Sequence, residues 1–330
     1  MKAIQFKQPG GPEVLEYVDV PTPTPGPREV LVKAHSIGIC RPEIAVRKGT
    51  YAWMPPLPAI PGIEMSGIVI AAGNRVDALK VGQAVFVSAR EFKTRGGCYA
   101  EYLAADASSI YPLPAGVDLE QAAALSNYQV AYHLLYTATR GFQYEWILVP
   151  AAAGGIGSAI VQLAKAAGKR VIGMVSTSEK ADFARRQGAE AAINYKTGQI
   201  AAEIKAATSG RGVDLILDPV GGPGMACLFD YLAHFGTLIL YGGLGGKPDP
   251  NILDPMRKRP ARNLAFRTFT MHAFDDWPEM RAGATHELLR LLAEGVIRPA
   301  IYDRIPLSQA KRAHEIVESG KVMGKLIMKP

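Results

Sequence analysis

Cysteine is scarce in this 330-residue chain: Cys40, Cys98 and Cys227 are odd in number and far apart, so no disulfide framework is indicated and a reducing compartment is expected. The six histidines, His35, His133, His234, His272, His286 and His314, form no ligand pair and no nucleophilic triad. An unbroken membrane-length apolar run is also missing. Trp146 to Ala164 is nearly apolar for about the length of a span, but Pro150, the glycines and Gln162 interrupt it. Met1 to Gln5 begins a strand-like alternation with no apolar leader and cleavage site. A cytoplasmic chain with no membrane partner is expected. Concentrated basic charge is lacking too. The net charge is +7, yet Lys and Arg are scattered apart from Arg257, Lys258, Arg259 and Arg262, which read as a solvated loop. Nucleic acid is therefore not the expected partner, and the positive excess suits an anionic cofactor.

What is present is enough apolar residue for a sizeable core and more length than one core usually fills, which makes two domains the default. The most informative stretch runs from Trp146 to Ser178. An apolar run, Trp146 to Val149, meets Pro150, passes through Ala152-Ala153-Gly154-Gly155-Ile156-Gly157 and continues to Gly168. That is strand, tight turn, helix: Ile156, Ile160, Leu163 and Ala167 share a helix face, and Gly168 with Lys169 and Arg170 ends it. A second strand, Arg170 to Val175, completes a βαβ unit. The turn is glycine-rich because backbone amides at a helix N-terminus reach a pyrophosphate only where no side chain intervenes. Ala153, Gly154, Gly155, Ile156 and Gly157 are thus candidate cofactor-binding residues. The match to Gly-x-Gly-x-x-Gly is partial, since Ala152 stands at the first glycine.

The end of the second strand selects the dinucleotide. An NAD site places an acid about 20 residues after the turn to accept from the ribose 2′-hydroxyl. Here Val175-Ser176-Thr177-Ser178 offers hydroxyls and no acid, with Lys180 just beyond. One charge-assisted hydrogen bond from Lys180 to a 2′-phosphate, about 1.5 to 3 kcal/mol, would give roughly a tenfold to hundredfold preference for NADP. The bland alternative is a solvated lysine in a first helical turn.

Along the rest of the chain, residues 1 to 20 read as two strands around Gly10-Gly11-Pro12, with Leu15 and Tyr17 facing inward. Pro21 to Pro27 is a stiff crossing. Short strands then recur at Val30 to His35, Gly67 to Ala72, Ala84 to Ser88 and Tyr99 to Ala104, the frequency of a small barrel. A helix from Leu119 to Tyr136 leads into alternating strands and helices: Ala191 to Asn194, Ile200 to Thr208, Val213 to Leu217, Met225 to His234 and Thr237 to Tyr241. This alternation means a parallel sheet. After Asn263, a strand Leu264 to Phe269, two amphipathic helices and a last strand Lys325 to Met328 return to the first domain. The expected fold class is α/β, a Rossmann doubly wound parallel sheet inserted into a small β-barrel domain, with 1–121 and 264–330 forming the barrel domain and 122–263 the nucleotide-binding one.

Four stretches carry a family likeness: Pro61 to Gly67, Gly96 to Tyr102, Ala151 to Lys165, and Arg312-Ala313-His314-Glu315 with Gly324-Lys325-Leu326. Over essentially its whole length the chain resembles the medium-chain dehydrogenases/reductases, in their zinc-free quinone oxidoreductase branch. The resemblance implies that the barrel domain is GroES-like, that NADP(H) is bound in a cleft between it and the Rossmann domain, and that a homodimer forms through the sheets. It implies that Ser176, Lys180 and Tyr195 hold the 2′-phosphate end, and that Asn127, Gly221, Gly242, Gly243, Thr268 and Phe269 lie near the nicotinamide half. Lys325 is counted with the cofactor residues on the same ground.

Zinc members of the family take a cysteine in a segment like Gly38-Ile39-Cys40-Arg41, a histidine in Pro-Gly-His-Glu and a further cysteine or acid. Here Cys40 and Glu64 are present, but the histidine position is Ile63, and the four-cysteine lobe for structural zinc is missing. Catalytic zinc needs three protein ligands, so no metal is expected. Without a Lewis acid the expected substrates are quinones or α,β-unsaturated carbonyls, whose conjugation delocalises the charge that hydride addition creates. Tyr51 matches a tyrosine bordering the substrate in such relatives; it either donates its hydroxyl to the developing oxygen or forms an aromatic wall. Cys40 is a second catalytic candidate, or simply a small buried residue. An enoyl-thioester reductase of the same fold and a non-catalytic NADPH-binding sensor or RNA-associating protein are the alternative functions.

Overall fold

The computed structural model describes residues 1–248 and 250–330. It divides into two compact units, Met1–Asn127 with Ala282–Pro330, and Tyr128–Arg281. The first unit is thus interrupted by the second, as expected.

The chain opens with a two-stranded antiparallel ribbon, β1 (Lys2–Gln5) and β2 (Glu16–Asp19). Leu15 is buried beside it, whereas Tyr17, expected to face inward, is exposed. Next come β3 (Glu29–Gly38), helix α1 (Arg41–Arg47), β4 (Glu64–Ala72), β5 (Ala84–Ser88), β6 (Tyr102–Asp106) and β7 (Ile110–Pro112). The single helix expected over 119–136 is broken into α2 (Leu119–Ala122) and α3 (Leu125–Tyr132), followed by a π turn, His133–Thr137. The Thr139 and Tyr144 hydroxyls both donate to the Leu135 carbonyl at this turn. Side-chain donors take over where the regular helical ladder is lost.

The second unit continues with β8 (Trp146–Pro150), α4 (Gly155–Ala166), β9 (Arg170–Val175), α5 (Ser178–Gln187), β10 (Ala191–Asn194), α6 (Ile200–Ala207), β11 (Val213–Asp218), β12 (Leu232–Leu240), α7 (Leu253–Arg257) and β13 (Ala265–Thr268). A 3₁₀ helix, Pro223–Tyr231, stands where an α-helix through His234 was expected, and β12 starts earlier than the expected strand. All six strands are parallel, in the order β10-β9-β8-β11-β12-β13. The order reverses between β8 and β11, which is the switch point of a doubly wound sheet. The segment expected to return to the first unit after Asn263 behaves otherwise. Its strand β13 pairs in parallel with β12, from Thr237 opposite Ala265 to Leu240 opposite Thr268. A strand's backbone must find partners, and β12 supplies them here, so the second unit runs on to Arg281 and takes in 264–281.

The chain then returns through α8 (Pro278–Ala293), β14 (Ile301–Pro306), α9 (Ala310–Glu318) and β15 (Lys325–Lys329). The seven-stranded sheet of the first unit runs β14-β15-β3-β4-β5-β7, with β6 also on β3. Its inner positions, among them Val30, Val32, Met65, Val69, Val85, Val87, Leu326 and Met328, pack one core. Each such side chain contributes about 1.5 to 3 kcal/mol by leaving water. Because β15 pairs with β3 through Ile327 opposite Gly38, Lys325 at the start of β15 reaches the interior near Cys40.

The partial glycine motif has a structural explanation. A Cβ at Gly173 in β9 would stand 2.8 Å from the Cβ of Ala152, so the methyl group that Ala152 adds at the turn is accommodated by the missing one on the neighbouring strand. Gly173→Ala should therefore destabilise the protein by about 1 to 3 kcal/mol. Ala152→Gly in the same chain should restore most of that loss. Denaturant unfolding of the two single variants and the double variant measures it; purely additive effects would contradict the compensation.

Candidate cofactor site and a buried polar cluster

The C-terminal ends of the parallel strands gather the predicted cofactor residues of the second unit. After β8 the chain turns through Ala151, whose φ is +54°, into α4. Its N-cap, Gly154, provides no side-chain cap, so the first-turn amides and the positive end of the helix dipole stay available to an anion. Gly157 is required for close packing: a Cβ there would lie 2.3 Å from the Ala151 oxygen. Ala153 is buried, and Gly154, Gly155 and Ile156 are half-buried.

At the tip of β9, Ser176 and Lys180 stand together, with Lys180 Nζ donating to Ser176 Oγ at 3.4 Å. Thr177 caps α5, its hydroxyl accepting from the Lys180 amide at 3.2 Å. The Tyr195 amide donates to the Val175 carbonyl at 3.0 Å, which places exposed Tyr195 at the same strand end. The acid of the segment, Glu179, is exposed in the first turn of α5. A hydroxyl and an ammonium thus meet, with Tyr195 at the same strand end, where a ribose-binding carboxylate would otherwise stand. Gly221 follows β11; Gly242 and Gly243 follow β12. Thr268 ends β13, and the Phe269 amide donates to the Leu240 carbonyl at 2.8 Å. The sequence singled out each of these strand ends but not Asp218, whose carboxylate accepts from Val220 and Gly221. Its signal was an acid closing the apolar run Leu215-Ile216-Leu217.

In the first unit Cys40, Glu43, Glu64 and Lys325 form a buried cluster. Lys325 Nζ lies 2.9 Å from Cys40 Sγ and donates to Glu64. Glu64 also accepts from the Ser126 amide at 2.8 Å and from the Cys40 thiol at 3.1 Å. Asn127 Oδ1 is 4.0 Å from the same sulfur. Glu43 accepts from the amides of Cys40 and Ile63, at 3.1 and 3.0 Å. Burial pushes the Glu43 carboxyl up to about 7. Burial and then the Glu64 carboxylate hold the Cys40 thiol well above its usual range, so it stays protonated and is not a ready nucleophile. Burial opposes the Lys325 charge, but the sulfur and carboxylate against it outweigh that and keep the ammonium. Glu43 escaped the sequence reading; its signal was an acid three residues after Cys40, the position that caps back onto a helix start. Tyr51 lies elsewhere in this unit, half-buried, its ring 5.8 Å from that of Trp53. Among the described residues no group of three His, Cys, Asp or Glu side chains is placed to hold a metal.

A largely antiparallel unit interrupted by a doubly wound parallel sheet is the architecture of a two-unit dehydrogenase/reductase. Comparison with known proteins agrees. Residues 26–115 match the family model described as alcohol dehydrogenase GroES-like domain, and residues 155–285 that described as zinc-binding dehydrogenase. The chain is 35% identical to a quinone oxidoreductase of Pseudomonas aeruginosa, covering 100% of this chain and 99% of that protein. It is 33% identical to the quinone oxidoreductase of Rattus norvegicus, over 99% of this chain and 97% of that one. The structure of Escherichia coli quinone oxidoreductase complexed with NADPH superposes with a TM-score of 0.87 at 31% identity, covering 100% of both chains. The chain belongs to the medium-chain dehydrogenase/reductase superfamily, in its quinone oxidoreductase-like branch.

Removing one partner of a buried ion pair strands the other charge, which costs about 3 to 5 kcal/mol. Lys325→Met should lose stability of that order, because Glu64 is left with only neutral donors. Lys325→Met with Glu64→Gln should recover a large part of it. Equilibrium unfolding checks this; a Lys325→Met protein as stable as wild type would show that the pair carries no such weight.

Proposed function

We propose that this protein is an NADPH-dependent oxidoreductase that reduces a quinone or an α,β-unsaturated carbonyl without catalytic zinc. The observation that carries the cofactor choice is the Lys180 ammonium held on Ser176 at the tip of β9, beside Tyr195. Positive and neutral donors of this kind suit a 2′-phosphate, which a carboxylate at that place would repel. The glycine turn fits a pyrophosphate, since Gly154 leaves the start of α4 uncapped and Gly157 has no room for a side chain. When bound, the nicotinamide supplies the hydride.

The chain's own residues then bind and orient. Amides of Ala153 to Gly157 hold the pyrophosphate; Ser176, Lys180 and Tyr195 hold the 2′-phosphate; Gly221, Gly242, Gly243, Thr268, Phe269 and Asn127 shape the nicotinamide surroundings. Tyr51 offers a hydroxyl to the substrate oxygen on which negative charge collects. Lys325 acts at one remove, fixing Cys40 and Glu64, and its ammonium lies against these two, the only side chains of the family's zinc pattern that the chain keeps. A zinc-free reaction favours substrates that spread charge by conjugation over alcohols that require an alkoxide. A cytoplasmic homodimer is part of the same reading, supported by the family likeness.

Two measurements test it together. Purified protein should consume NADPH with members of a panel of quinones and enones, and turnover on none of them would refute the proposal. Lys180→Ala should raise the KM for NADPH about tenfold to a hundredfold with little change in kcat, because the 2′-phosphate is held equally before and at the transition state. An unchanged KM would remove Lys180 from the site.

A further inference from the structure

Asp218 closes β11 and is fully buried, yet among the described residues no lysine or arginine forms an ion pair with it. A buried carboxylate without a cation is costly unless hydrogen bonds compensate it. Two backbone donors do so: the Val220 amide at 2.8 Å and the Gly221 amide at 3.0 Å.

The geometry of a trans peptide turns this local fact into a longer-range one. The N–H and C=O of a peptide unit point in opposite directions. With the amides of Val220 and Gly221 aimed at Asp218, the carbonyls of Pro219 and Val220 are turned away from it. Each meets a donor on the loop after β12: Leu244 donates to Pro219 at 3.2 Å, and Gly245 to Val220 at 2.7 Å. The Tyr241 amide donates to the Asp218 carbonyl at 2.9 Å, so the zip begins at Asp218 itself. The two loops approach so closely that a Cβ at Gly242 would stand 2.4 Å from the Pro219 oxygen. One carboxylate thereby sets the backbone of both loops that follow the strands on the far side of the switch point.

We infer that Asp218 is a positioning residue, which holds the paired loops 219–222 and 241–246 in the shape that receives the nicotinamide half of the dinucleotide. The inference rests on the cofactor reading above and adds a residue and a division of labour to it. The adenosine half is held at the tips of β9 and β10 and does not depend on Asp218. The nicotinamide half depends on loops with little side chain of their own, whose order comes from a single buried acid.

Asp218→Asn keeps the shape of the side chain but replaces one acceptor oxygen by a donor, which faces an N–H. The test is calorimetric binding of NADPH and of adenosine 2′,5′-bisphosphate, which has the phosphorylated adenosine and no nicotinamide, to wild type and Asp218→Asn. The variant should bind NADPH about tenfold to a hundredfold more weakly and the bisphosphate within about twofold of wild type. Equal loss for both ligands, or no loss for NADPH, would overturn the inference. Failure of wild type to bind the bisphosphate would instead overturn the cofactor reading and this inference with it. Should Asp218→Asn not fold, Gly242→Ala strikes the same zip from the opposite loop and must show the same split. A folded Gly242→Ala protein that binds NADPH like wild type would contradict the assignment.

Discussion

Backbone amides can neutralise an anion only where the chain comes close enough, and that constraint shapes the second unit more than any other. It explains why the turn after β8 has Gly154 at an uncapped helix start and Gly157 pressed on the Ala151 carbonyl. It also explains why β9 carries Gly173: a methyl group at Ala152 is tolerable only because the adjacent strand withholds its own. The motif is thus distributed over two strands, and its apparent defect in the sequence is a displacement of the small residue to a neighbour.

Charge in the first unit follows a second rule, that buried ions come in compensated sets. Glu64 gathers the Lys325 ammonium, the Cys40 thiol and the Ser126 amide, while Glu43 takes the amides of Cys40 and Ile63. Strand β15 brings the lysine to this point and β4 brings the glutamate, so the pair ties the last strand of the chain to its early ones. Under the proposed zinc-free reaction, the same lysine satisfies the side chains that would otherwise be free to bind a cation.

Much of this was legible in the sequence because it rests on local pattern. The β8-α4-β9 unit is written in an apolar run, a helical period and a stop at Gly168, and the tip of β9 in three hydroxyls and a lysine. Lys180 and Ser176 are only four residues apart, on either side of the Thr177 cap of α5, so their meeting needs no long-range contact. Tertiary partners were not legible. Lys325 read as one residue of a family motif, yet its neighbours Cys40 and Glu64 are 285 and 261 residues away. The strand at 265–268 carries no sign of which sheet it joins, since four residues of mixed exposure fit either unit; only pairing with β12 decides. The helix expected over 119–136 is broken where periodicity leaves no mark, between Ala122 and Leu125, and it ends in a π turn whose Leu135 carbonyl takes the Thr139 and Tyr144 hydroxyls.

The proposed chemistry depends most directly on a phosphorylated adenosine being favoured at the hydroxyl-bearing tip of β9. Titration calorimetry of NADPH and NADH with the wild-type protein measures that preference without reference to any substrate. NADPH should bind about tenfold to a hundredfold more tightly, the worth of one charge-assisted hydrogen bond. NADH binding as tightly as NADPH, or more tightly, would contradict the assignment of Ser176, Lys180 and Tyr195 and the cofactor chemistry built on it.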